Sequence, residues 1–276
     1  MVYLLYYLLK GFFSVQTQIE DIIQQNIFRE NIVFGSMPIG DPADISLNAI
    51  EHINKADIIV VENHRQFSRL ISCLNYLPIN YRPNMNPQAT IYQYNLESNP
   101  ERANEVMDEI VKIAGKNVKI FIVSDEGSSV FLEPMSELKS KLMDAGFGYQ
   151  VLPGPNSVIS AVVNGKHNVH EFYFAGNFEH LPNKEKTFKE VQSLRKPTVF
   201  ILRAIGLQGF IDTIGQEFSE SWDADFQMNL SMDTEKHVYG TFDEIRNFVY
   251  TNNSLWDYEE ETKKIIITLY PKEYRS

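Results

Sequence analysis

"NIVFGSMPIGDPADISLNAIEHINKADIIVVENHR", residues Asn31–Arg65, reads as strand, helix and strand in close succession. "NIVFG" is a short apolar run that ends in glycine. In "ADISLNAIEHINKA", Ile45, Ala49, Ile50 and Ile53 fall on one helical face, with Asp44 in an N-terminal position. "DIIVVE" (57–62) has the unbroken apolar character of a strand buried on both faces. The turn before the helix holds Gly-Asp-Pro, and Glu-Asn-His-Arg follows the second strand.

Working outward, the alternation continues. A second helix is predicted through Phe67, Leu70, Ile71 and Leu74, then a Pro- and Asn-rich loop (78–90). "TIYQYN" is a strand, "PERANEVMDEIVKIAGK" an amphipathic helix ending at Gly115, and "VKIFIVS" (118–124) a central strand. "SELKSKLMDAG" is a helix with Gly146 as its stop signal. Strands alternating with helices in this way predict a mainly parallel, helix-covered sheet. After "PGPNS" the pattern changes. One helix, "NSVISAVVNG", leads into "EFYFAGNF", "PTVFILRA", "ADFQMNLS", "KHVYGTFDEI" and "KKIIITLYP", with fewer crossover helices between them. The expectation is an α/β chain of two α/β domains, 31–152 with a mainly parallel sheet and 153–276 with a mixed sheet. A ligand cleft is expected between them at the Pro-Gly-Pro hinge.

Bulk properties restrict the function. A formal charge of −11 argues against a general nucleic-acid coat but leaves room for one local basic patch. Cys73 is the single cysteine, so no internal disulfide can form and a cysteine zinc site is excluded; a reducing, cytoplasmic setting fits. "MVYLLYYLLKGFF" at the N-terminus is apolar, but Lys10 interrupts it and it is too short to span a bilayer. Without a basic region ahead of it or a small-residue cleavage site, it reads as part of a helical extension, residues 1–30. That extension packs on the body or a partner, or touches a membrane weakly, without stable insertion.

Common cofactor patterns are absent. No G-x-G-x-x-G follows the first strand and no G-x-x-x-x-G-K-[ST] occurs, which disfavours dinucleotides and P-loop nucleotides. His167 and His170 form H-x-x-H without a companion cysteine or carboxylate, so they read as surface histidines and no metal is expected.

Three loops remain, each after a predicted strand: "SMPIGD" (36–41), "SDEGSS" (124–129) and "LPGPNS" (152–157). Singly they are ordinary turns. In this order and spacing they resemble the class III S-adenosylmethionine-dependent methyltransferases, the tetrapyrrole methylase superfamily. "MPIGDPADISLNAIEHINKADIIVVENHR", "IVSDEGSSVFLEP", "VLPGPNSVISAV" and "EFYFAGNFEHLP" are similar to successive blocks of the branch that methylates a ribose 2′-hydroxyl of small-subunit rRNA. The resemblance covers roughly Ile32 to Pro271. It implies S-adenosylmethionine held by Pro38, Ile39 and Gly40, by Ser124, Asp125, Gly127, Ser128 and Ser129, and by Asn156 and Ser157. Gly40 and Gly127 would allow close backbone approach. The same residues have structural readings too: Asp125 can tie its own turn and Ser157 can cap a helix.

Methyl transfer to a hydroxyl needs in-line positioning and benefits from a proton acceptor. Glu62 is the first candidate and His64 the second, with Arg65 able to clamp a phosphate or carboxylate. Alternatively Glu62 and Arg65 pair with each other or cap the next helix. The chain departs from the branch at three places. "ENHR" stands for "E-D-T-R", so Asn63 replaces an acid; "LRAIGL" (202–207) stands for "Y-E-S-P-H-R"; and "MNLSM" (228–232) stands for "R-E-L-T-K". The donor side is therefore better kept than the acceptor side. Three functions stay open: an rRNA ribose methyltransferase, a same-fold enzyme acting on a tetrapyrrole-like small molecule or a peptide, and a non-catalytic donor-binding protein. Lys184, Lys186, Lys189, Arg195 and Lys196 are either an rRNA contact or a solvated helix face. The family resemblance also implies a homodimer.

Overall fold

The computed structural model describes residues 30–95, 99–116, 118–129, 135–215, 222–252 and 264–274. The expected N-terminal helical extension lies almost entirely outside the described residues. The chain divides into two compact units, Met1–Met37 with Ile45–Gly154, and Pro38–Asp44 with Pro155–Ser276. A short excursion, Pro38–Asp44, thus belongs with the C-terminal unit although its neighbours in sequence do not.

The first unit holds strands β1 (Ile32–Phe34), β2 (Ser36–Met37), β3 (Ile58–Val61), β4 (Thr90–Gln93), β5 (Ile120–Val123), β6 (Gly127–Ser128) and β7 (Gln150–Val151). Its helices are α1 (Leu47–Lys55), α2 (His64–Leu74), α3 (Pro100–Ala114) and α4 (Met135–Asp144). Five strands form one sheet in the order β4-β3-β5-β1-β7, and every pairing in it is parallel. Side chains alternate between the faces of such a sheet. Ile32, Phe34, Ile58, Val60, Ile120 and Ile122 pack under α3 and α4, whereas Val33, Ile59, Val61, Phe121 and Val123 pack under α1 and α2. Helices on both faces explain why β1, β3 and β5 contain no polar residue. Ile45, Ala49, Ile50 and Ile53 are buried as their spacing predicts. Asp44 instead closes a 3₁₀ turn, Pro42–Asp44, and Ser46 caps α1 by accepting from the Ala49 N–H at 3.1 Å. The cap sits two residues later than the sequence reading placed it. Gly146 ends α4 with φ +83°, and Phe147 N–H reaches back to the Leu142 carbonyl at 3.0 Å.

The second unit contains α5 (Ser157–Asn164), β8 (Tyr173–Asn177), α6 (Lys184–Leu194), β9 (Thr198–Arg203) and α7 (Leu207–Gly215). It continues with β10 (Trp222–Met228), β11 (Lys236–Thr241), α8 (Phe242–Thr251) and β12 (Lys264–Pro271). The sheet order is β11-β10-β12-β9-β8, antiparallel except for the β8–β9 pair, so it is mixed as expected. One face packs under α6, α7 and α8 through Phe188, Val191, Phe200, Phe210, Phe226 and Phe242. The other meets α5 through Val158, Ala161, Val162, Val199, Ile201 and Ile266. Among the described residues no helix is long and apolar enough to cross a membrane.

Candidate active site

Parallel strands present all their carboxyl ends to one edge. The order β3-β5-β1-β7 therefore sets Glu62, the Ser124–Ser129 loop, the start of the Ser36–Asp41 loop and Leu152–Gly154 side by side. The first two loops are joined: β2 pairs antiparallel with β6, Ser36 opposite Ser128 and Met37 opposite Gly127. Gly127 has φ +64°, a conformation that costs an L-residue with a side chain about 1–2 kcal/mol.

At the end of β3 two carboxylates hold the backbone reciprocally. Glu62 Oε2 accepts from the Asp125 N–H at 3.3 Å, and Asp125 Oδ1 accepts from the Asn63 N–H at 3.0 Å. Both residues are half-buried. Asn63 caps α2, its side-chain oxygen accepting from the Arg65 N–H at 2.9 Å and the Gln66 N–H at 3.4 Å. Asparagine and aspartate cap equally well, so the exchange of an acid at this position keeps the local structure. Glu62 and Arg65 do not pair with each other, and Asn63 rather than either of them is the cap. His64 is exposed at the first turn of α2, its Nδ1 3.4 Å from Ser68 Oγ. The Ser124 hydroxyl donates to the Glu126 carbonyl at 3.0 Å. Ser129 Oγ is buried with no hydrogen-bond partner among the described residues.

The other sequence-predicted residues lie in the second unit. Ile39 is part of its core beside Val158 and Leu230. A Cβ on Gly40 would lie 2.2 Å from the Leu230 carbonyl oxygen, so the close approach made there is to the chain's own backbone. Asn156, not Ser157, caps α5, accepting from the Ile159 N–H at 3.1 Å. Pro38 is buried, and Ser157 is the first residue of α5.

In the Lys184–Lys196 stretch Lys189 pairs with Glu185, Lys196 with Glu171 at 2.8 Å, and Lys184 Nζ sits 4.2 Å from the Phe178 ring centroid, contacts that suit the solvated helix face. One other sequence reading changes. His167 is not a surface histidine. Its side chain is only 8% exposed, with its ring 4.7 Å from that of Tyr270 and Nε2 3.8 Å from Asp223 Oδ2. The reason is a polar row on β10, Asp223, Asp225 and Gln227, each buried. Asp225 contacts His237 and accepts from the Lys166 N–H at 3.1 Å; Gln227 Nε2 donates to the Ala161 carbonyl at 2.8 Å. Burial raises the Asp225 carboxyl above its ordinary value, against the attraction of His237. Alternation in "WDADFQM" shows a strand with one polar face, but nothing local shows that α5 and the Lys166–His167 turn cover it.

The fold and the loop-built edge are those of a class III methyltransferase. The sequence profile of the tetrapyrrole (corrin/porphyrin) methylases matches residues 31–246, and the chain belongs to that family. Ribosomal RNA small subunit methyltransferase I of Mesomycoplasma conjunctivae is 24% identical over 221 residues, covering 79% of this chain and 85% of the relative. Cobalt precorrin-4 methyltransferase, a cobalamin biosynthetic enzyme, shares the fold with a TM-score of 0.61 at 12% identity, over 87% of this chain and 95% of its own. Uroporphyrin-III C-methyltransferase from Thermus thermophilus, crystallised with S-adenosyl homocysteine, shares it with a TM-score of 0.54 at 13% identity, over 86% of this chain and 95% of its own. The expected family, fold, methyltransferase class and S-adenosylmethionine donor are borne out.

The residues fit that donor. A sulfonium and an ammonium are cationic, and the edge offers the half-buried carboxylates of Glu62 and Asp125. The buried Ser129 hydroxyl has hydrogen-bonding capacity that the described residues leave unused.

Proposed function

We propose that the chain transfers a methyl group from S-adenosylmethionine to a ribose 2′-hydroxyl of small-subunit rRNA. The observation that carries methyl transfer is the edge where β2 and β6 pair and the Glu62–Asp125 clamp fixes the Ser124–Ser129 loop. The rRNA acceptor rests on relatives named small-subunit rRNA methyltransferases. The bound donor supplies an activated methyl group; the chain must bind, orient and handle one proton.

In this reading Ser124, Asp125, Gly127, Ser128 and Ser129 hold the donor at the loop edge of the first sheet. Glu62 uses one oxygen to position the loop, and its other oxygen accepts the proton of the acceptor hydroxyl. Arg65, exposed and without an ion pair among the described residues, takes an acceptor phosphate. His64, the second candidate, is exposed with its Nδ1 3.4 Å from Ser68 Oγ. The working protein is read as a cytoplasmic homodimer; light scattering that gives only 31.9 kDa would reject the dimer.

A second reading rests on the acceptor-side departures. Where the rRNA branch has its polar "Y-E-S-P-H-R", the Arg203 N–H donates to Glu179 Oε1 at 2.9 Å. A tetrapyrrole-like small molecule or a peptide is then the acceptor. The test offers labelled S-adenosylmethionine with rRNA, protein and small-molecule pools from cells lacking this chain. Label in small-subunit rRNA, lost when the ribose is 2′-deoxy, is the expected result. Label confined to another pool rejects the rRNA reading, and no label in any pool leaves a donor-binding protein.

A further inference from the structure

From Asn63 to Asn95 the chain contains no aspartate or glutamate, although it has 36 acids in all; at the mean density a stretch of that length would hold about four. The same stretch carries Arg65, Arg69, Arg82 and His64, all exposed. None of the three arginines is in an ion pair among the described residues, and Arg82 is anchored by its Nε donating to the Leu77 carbonyl at 2.7 Å. Around α6, by contrast, Lys189 and Lys196 are paired with Glu185 and Glu171. Tyr76 is 90% exposed and Tyr81 46% exposed in the turn that follows α2.

Helical geometry aligns these groups. Arg65, Arg69 and Ser72 are spaced for one stripe, which runs about 11 Å along α2, and Tyr76 follows in the turn just beyond its end. Phe67, Leu70, Ile71 and Leu74 occupy the opposite side and pack into the core beneath. The stripe starts where Asn63 and Glu62 meet Asp125, at the candidate active site.

We propose that this surface, from Arg65 to Arg82, is a track for single-stranded RNA that leads the acceptor nucleotide to Glu62. The proposal rests on the rRNA reading above and deepens it. Guanidinium groups bind phosphate as planar forks, and exposed tyrosine faces stack unpaired bases, whereas a duplex hides its base faces. A bilayer is the poorer partner, because the apolar side of α2 is already committed to the core.

The test uses the full chain, a single-stranded fragment of small-subunit rRNA and fluorescence anisotropy. Arg69→Glu with Arg82→Glu should weaken binding by at least ~10-fold and reduce the slope of log affinity against log salt by about two. Tyr76→Ala with Tyr81→Ala should weaken it by ~10-fold or more with the slope unchanged. Both double variants should retain wild-type affinity for S-adenosylmethionine by calorimetry, which also reports that the fold is intact. Wild-type RNA affinity in both doubles would overturn the track while leaving the rRNA reading in place. A wild-type chain that binds the donor but no RNA would overturn both. Preference for vesicles of anionic lipid over RNA would overturn the track in favour of a membrane surface.

Discussion

In the sheet of the first unit, β1, β3 and β5 are apolar throughout, and the polar groups gather past their ends at Glu62, Ser124 and Asp125. In the sheet of the second unit, β10 alternates Trp222, Ala224, Phe226 and Met228 with Asp223, Asp225 and Gln227, and all seven are buried. The difference follows from what covers each sheet. Parallel strands with helices on both faces have no tolerance for polar side chains along their length, so chemistry is pushed to the loops. The second sheet accepts a buried polar row because α5 and the turn after it supply partners from backbone and side chain, such as the Ala161 carbonyl and the Lys166 N–H. One sheet separates stability from function; the other puts ionisable groups into its own interior.

The sharpest way to break this contrast is at the loop edge. Gly127→Val should abolish donor binding while the apolar sheet still folds, because a β-branched residue resists φ +64° where β2 and β6 pair. Calorimetry that finds donor affinity intact would show that the edge is not the donor site. Glu62→Gln should leave donor affinity nearly unchanged and lower turnover by about 10²–10⁴-fold, as expected for a positioned base. Full turnover with labelled donor would reduce Glu62 to its hold on the Asp125 N–H.

The interior row makes a different prediction. Asp225→Ala should destabilise the second unit by about 1–3 kcal/mol, since it leaves the Lys166 N–H without its acceptor, with no comparable loss in donor affinity. Urea denaturation with calorimetry measures both; donor binding lost in parallel with stability would erase the distinction between the sheets. Asn63→Ala should cost about 1 kcal/mol as a lost helix cap, seen in the same denaturation experiment.

The smallest effect concerns pH. The Asp225 carboxyl is raised by burial, so the folded chain holds this proton more tightly than the unfolded one. Its contribution to stability is therefore greatest below the ordinary aspartate value, about 3.9, and is lost as pH rises through the raised value. Asp225→Asn should remove that decline from the stability–pH profile. An unchanged profile would mean that His237 already compensates the buried charge.

Much of the architecture was legible because it is local. Ile45, Ala49, Ile50 and Ile53 repeat at helical spacing, the runs at β3 and β5 are unbroken, and Gly146 stops α4 with the positive φ that glycine allows. The order of the three loops was enough to point to a family. Cap identities were less legible: Ser46 and Asn156 cap where Asp44 and Ser157 were also eligible, because neighbouring polar residues compete for a position that helix geometry decides.

What the sequence by itself determined was the alternation of elements, the change from a parallel to a mixed sheet, and the methyltransferase family with its donor. The alternation and the change of sheet follow from periodicities and turn residues that act within a few positions of one another, and the family with its donor from the resemblance of the three ordered loops. The tertiary structure alone decided that Glu62 and Asp125, some sixty residues apart, hold each other's strand ends, and that the polar face of β10 is covered. It also decided that the arginines of α2 are free of ion pairs among the described residues while Lys189 and Lys196, in and beside α6, are paired with acids. Such pairings join segments distant along the chain, so only the folded backbone, by setting which strands are neighbours, can determine them.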